Sequence, residues 1–171
     1  MEELMFPSIL RTTGAAFLVV ASALSAPTWA ADACRSPDMR SDNEAWTTTS
    51  WKFFNAKQYQ AAIQNVDACV GNWSPMAAQT QQGFDTKGTQ CPPVGAVDAA
   101  TKKATFANGL LNDVGTNLWI KARSLELLGN RLGAKHEYEA CAKMRCARTW
   151  DERGWFWDPA ADCAARRQAL N

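Results

Sequence analysis

Trp150, Asp151, Glu152, Trp155, Trp157 and Asp158 crowd into one short stretch near the C-terminus, and these residue types have a recognisable use. Paired carboxylates flanking a sugar carry out glycoside hydrolysis, and tryptophan rings supply the platforms on which sugars stack. Asp151 with Glu152, or Asp151 with Asp158, would be the pair. A single short loop on a small chain, however, provides little wall for the deep cleft that such chemistry needs. No catalytic residue is therefore assigned. Trp150, Asp151, Trp155 and Trp157 are instead candidates for an aromatic binding patch, with glycan binding or glycoside hydrolysis as the alternative use. A purely structural role competes with both, because Trp155 or Trp157 could plug the end of a helical scaffold whose last apolar face would otherwise meet water. An extended Trp155-Phe156-Trp157 points Phe156 away from its two neighbours, so only part of the run can face a core.

The other reactive side chains are easily placed. His136, the only histidine, has Glu137 and Glu139 beside it, but helix neighbours one and three residues away do not converge as a catalytic dyad. It reads as a surface residue. Cys34, Cys69, Cys91, Cys141, Cys146 and Cys163 form no Cys-x-x-Cys motif, which leaves no metal site and predicts disulfides. No cofactor is expected.

These residues must be held by helices. Trp46, Ser50, Phe53, Ala62, Val66 and Cys69 recur in kind as Leu118, Ala122, Leu125, Ala134, Tyr138 and Cys141, a helix pair written twice. The spacing predicts an all-α fold of antiparallel pairs at about 42–70 and 110–146, a connector over 72–97 and a capping segment over 150–169. Ser41 to Glu44 reads as a capping box, Gly71 as the end of the second helix and the neighbourhood of Gly109 as either a kink or a break. Asp158 with Pro159 opens a final helix that carries Arg166 and Arg167 near its end. Antiparallel pairing brings Cys34 beside Cys69 and, by the same geometry, Cys91 beside Cys141, leaving Cys146 for Cys163.

The matching positions also resemble tetratricopeptide repeats, through Trp46, Phe53, Tyr59 and Ala62 in the first pair and Ala122, Gly129, Ala134 and Tyr138 in the second. Pro92-Pro93-Val94-Gly95, the stretch over 109–114 with Ile120-Lys121-Ala122 behind it, and Trp150-Asp151 leading into Gly154-Trp155-Phe156-Trp157 resemble small exported bacterial tetratricopeptide-like proteins. The resemblance implies a helical scaffold without catalytic residues.

The compartment follows from the N-terminus. Residues 14–24 form an apolar run too short to span a bilayer, and Thr28-Trp29-Ala30 presents small residues where a signal peptidase reads. A signal peptide over 1–30 is expected, with cleavage before Ala31 or, secondarily, before Cys34; Met5 is an alternative start. Removing Arg11, Glu2 and Glu3 from 18 basic and 17 acidic residues leaves 17 against 15, with no run of one sign. That balance does not predict nucleic acid as a partner, and the mature chain has no membrane span. The sequence thus points to a single domain over 31–171, periplasmic or secreted, that acts as an interaction scaffold for a protein or peptide.

Overall fold

The computed structural model describes residues 34–36 and 40–170. The expected signal peptide and both cleavage sites lie wholly or partly outside them. The described chain is mainly helical: α1 (Asp42–Asn55), α2 (Tyr59–Lys87), α3 (Ala99–Phe106), α4 (Gly109–Leu127), α5 (Arg131–Ala142), an antiparallel hairpin of β1 (Thr149–Asp151) and β2 (Trp155–Trp157), then α6 (Pro159–Ala169). Among the described residues no helix is long and apolar enough to cross a membrane.

The core is built from the doubled pattern. Trp46, Ser50, Ala62, Val66 and Cys69, with Leu118, Ala122, Ala134, Tyr138 and Cys141, are all buried, while Phe53 and Leu125 pack on the edge. α1 and α2 pair, α4 and α5 pair, α4 lies against both α1 and α2, and α6 closes the far side on α5. Polar contacts lock the pairs together. Asn117 Nδ2 donates to Thr47 Oγ1 at 2.7 Å, and Lys121 bridges Asp67 on α2 and Glu137 on α5 at 2.7 and 2.8 Å. Gly115 lets α4 approach the chain after α5, since a Cβ there would stand 2.5 Å from the Ala147 Cβ.

Several boundaries follow the sequence. α1 ends at Asn55, the chain breaks at residues 107–108 rather than kinking so that α4 starts at Gly109, and the Asp158 carboxylate caps α6, accepting from Ala161 N at 2.9 Å with Pro159 in the first turn. Others do not. The Ser41 side chain makes no cap hydrogen bond; the Asp42 carboxylate is turned back to Ser36 N at 2.8 Å. α2 runs past Gly71 and through Pro75, ending only at Gly88 in the left-handed conformation (φ 59°). Most of the expected connector is therefore helix. Trp73, Ala77, Gln81 and Phe84 hold it to the core at helical spacing, and the buried member that interrupts the apolar stripe is a glutamine. Gln81 is satisfied there, accepting from Cys146 N at 2.8 Å and donating to Asp85 at 2.9 Å.

Three disulfides form, and no described cysteine is free. Cys34–Cys69 matches the expectation; Cys91 bonds Cys146 and Cys141 bonds Cys163, the reverse of the expected assignment. The cause is the end of α5. It stops at Ala142 rather than at residue 146, so Cys141 still faces α6 while Cys146 lies in the following turn, beside Gln81 and the end of α2 from which Cys91 follows. The tryptophan plug needs the same kind of correction. Phe156, not Trp155 or Trp157, is fully buried, and both tryptophans are half-buried on the opposite face of β2.

Candidate functional site

The hairpin is the organising element. Trp150 pairs with Phe156 and Asp151 with Trp155, so alternate residues face opposite sides. Gly154 (φ 107°) makes the turn, and Gly95 from the preceding connector adds two backbone hydrogen bonds to Phe156, at 2.7 and 3.0 Å. Phe156 then stacks edge-on against Trp150 and Phe106, with centroids 4.8 and 5.2 Å away. At its other end β1 is tied to α4, where the Thr116 and Thr149 hydroxyls meet at 2.7 Å and Asn112 Oδ1 accepts from Arg148 N at 2.8 Å.

Two clefts result, and Trp51 on α1 lines both. The first, of about 670 Å³, lies between α1, the start of α4 and β1. Its walls include Trp51, Phe106 and Trp150, with Asp113, Glu44 and Glu152 among its polar groups. Asn43 Nδ2 donates to Asp113 Oδ2 at 2.5 Å. Burial nevertheless dominates and pushes the Asp113 carboxyl up to about 7, against the hydrogen bonds from Asn43 and Thr47 and with added repulsion from Glu44. Arg148 also lines this cleft, but its guanidinium is engaged elsewhere, donating to the carbonyls of Pro92, Arg145 and Ala147 and pairing with Asp158 at 3.3 Å. Its own pKa is lowered by burial, partly restored by Asp158.

The second cleft, of about 500 Å³, has Trp51, Trp119, Trp155 and Trp157 as walls and Asp151, Asp158 and Asp162 at its edge. Trp119 is central, stacked against Trp51 and Trp157 with centroids 5.6 and 5.2 Å away, its indole N–H donating to Asp162 at 2.5 Å. Arg166 grips the same Asp162 oxygen at 2.5 Å.

Comparison of the chain with protein-family models, curated proteins and solved structures finds no match.

The expected binding residues are thus divided. Asp151, Trp155 and Trp157 share the second cleft, whereas Trp150 belongs to the first with Glu152. Asp151 and Glu152 consequently face different spaces and do not form a carboxylate pair. Asp151 with Asp158 share a cleft, yet each is occupied. The Arg153 side chain, and after it the Arg153 backbone N–H, hold Asp151 down to about 2, and Asp158 divides its oxygens between the α6 cap and Arg148. His136 is exposed, 3.5 Å from Glu137, which Lys121 already pairs. Trp51, Trp119 and Asp113 were not among the sequence candidates. The signal for Asp113 was available: an acid inside the apolar first half of α4, between Leu111 and Val114.

Proposed function

We propose that this chain is an exported, non-catalytic binding scaffold that holds an extended peptide segment of a partner along the face shared by α1, α4 and the hairpin. The observation that carries this reading is the position of Trp51, which walls both clefts, so that the two adjoin; taken together they are the trough in which the segment would lie. Tryptophan is enriched where binding energy concentrates. The lining threonines and asparagines offer donors and acceptors to a peptide backbone. The tetratricopeptide-like reading is supported by the helix order, in which the first helix of each pair, α1 and α4, lie side by side and line the trough. Three disulfides suit an oxidising compartment, the periplasm or the exterior. The test is selection of peptides on the oxidised mature protein, followed by Trp51→Ala. Selected peptides should bind the variant at least about tenfold more weakly at unchanged fold. Unaltered binding overturns the reading.

A glycan is the second reading, favoured by one observation: four tryptophans surround the second cleft with acids at its rim. Loss of oligosaccharide binding in Trp119→Ala, with peptide binding intact, would select it.

A further inference from the structure

We propose that the first cleft receives a positively charged side chain of the peptide partner, an ammonium or guanidinium held between the rings of Trp51, Phe106 and Trp150 and the carboxyl groups of Glu44, Asp113 and Glu152. This rests on the peptide reading above and adds the chemistry of one subsite.

Charge is the first argument. Three carboxyl groups line the space, and among the described residues none of them has a cationic partner. The one cation in the lining, Arg148, points its guanidinium into backbone carbonyls and Asp158. Glu44 repels the Asp113 carboxylate, and among the described residues no cation offsets that repulsion at Asp113. An anionic ligand would add to that repulsion, and an apolar one would bury the acids without compensation.

The walls are the second argument. Aromatic faces attract cations, and this chain already uses one of them so: Lys102 Nζ stands 3.7 Å from the centre of the Trp150 ring and 5.7 Å from that of Phe106. The opening of the cleft is fringed by Thr48 and Ser41, which suit the peptide amides on either side of the inserted residue.

A linked protonation follows. Asn43, Glu44 and Thr47 from α1 act on Asp113, while Glu152 and Arg148 line the same cleft from around β1, Arg148 with its guanidinium turned away to backbone carbonyls and Asp158, and Lys102 on α3 lies over Trp150. With Asp113 near 7, a bound cation drives out its proton, so affinity rises as pH climbs toward that value.

The experiment uses the oxidised mature protein and three capped pentapeptides, alanine throughout except for a central lysine, arginine or norleucine, with indole N–H shifts of the tryptophans as readout. Lysine and arginine peptides should bind at least about tenfold more tightly than the norleucine peptide. The lysine peptide should tighten about tenfold from about pH 6 to about pH 8, and Asp113→Asn should remove that pH dependence. Glu44→Gln, at an exposed position, provides a second variant that keeps the test valid should Asp113→Asn misfold, and it should weaken the lysine preference. Equal binding of all three peptides overturns the cation subsite while leaving the peptide scaffold standing. Binding of none of them at millimolar concentration, with N-acetylglucosamine or glucose oligomers shifting the Trp119 signal instead, overturns both; binding of nothing overturns the subsite as well.

Discussion

Replacing Phe156 with alanine should unfold the hairpin end of the molecule at a temperature well below that of the wild type. The ring is fully buried and meets Trp150 and Phe106 edge-on. An aromatic side chain buries about 150–250 Å², worth about 4–6 kcal/mol at roughly 25 cal/mol per Å² as an upper bound. Phenylalanine-to-alanine changes in cores cost about 3–5 kcal/mol, so a loss near 4 kcal/mol is expected. For a domain of this size that lowers the melting temperature by about 10–15 °C. The two backbone hydrogen bonds between Gly95 and Phe156 survive the substitution, so the change reports on the ring alone. Trp155→Ala is the comparison, because Trp155 is half-buried and carries Arg153 over its face at 5.6 Å. Calorimetry on the oxidised proteins should show Trp155→Ala losing less than half as much. A Phe156→Ala melt within a few degrees of wild type, or equal losses in both variants, would refute the assignment of Phe156 as the core closure.

Gly115→Ala should destabilise although alanine is the better helix former by about 1 kcal/mol, because the added methyl meets Ala147 at 2.5 Å and overpacking costs about 1–3 kcal/mol; urea melts give the sign. Non-reducing peptide mapping should recover Cys34–Cys69, Cys91–Cys146 and Cys141–Cys163, and the pair Cys141→Ser with Cys163→Ser should lose about 3 kcal/mol, the entropy of a closed loop with a separation of 22 residues. The Asp113 carboxyl sits at about 7 when folded and near 4 when unfolded, so the folded chain keeps a proton that the unfolded chain releases. Its stabilising contribution is complete below about pH 4 and is lost as pH rises through about 7, by about 1.4 kcal/mol per pH unit at most. Asp113→Asn should flatten that slope in denaturant melts between those pH values.

What was legible in the sequence depended on how cleanly apolar residues marked a face. The faces of α1, α4 and α5 were readable because Trp46, Leu118 and Tyr138 anchor apolar positions at helical spacing that the buried Ser50, Asn117 and Ser124 do not obscure, and Asp158-Pro159 is a local signal that needs no tertiary help. The second half of α2 was hidden by Gly71 and Pro75, two helix-breaking residues that tertiary packing overrides, and by Gln81, whose burial makes sense only beside the Cys146 amide. The overrun of α5 by a few residues was enough to exchange two disulfide partners. The hairpin's alternation was foreseeable from Trp155-Phe156-Trp157, but the clefts were not. Trp51 and Trp119 belong to different helices, and Asp113 is raised by burial against α1, whose Asn43 and Thr47, 70 and 66 positions away, only partly offset it.

The walls of the trough come from the beginning, the middle and the last part of the chain: Trp51 from α1, Asp113 and Trp119 from α4, Trp150 and Trp157 from the hairpin. The α1–α2 pair carries its own bridge, Cys34–Cys69, and is complete once residue 88 has emerged. The trough is different. Its last wall is made by β2, and the hairpin is fastened from both ends, by Cys91–Cys146 before it and by Cys141–Cys163 after it. Closure of the trough is therefore a late event in the life of each molecule, reached only once β2 and α6 have been made and their bridges have formed. A chain interrupted before residue 163 would carry most of the helical framework and yet have an unfastened hairpin, which separates a folded-looking product from a finished one.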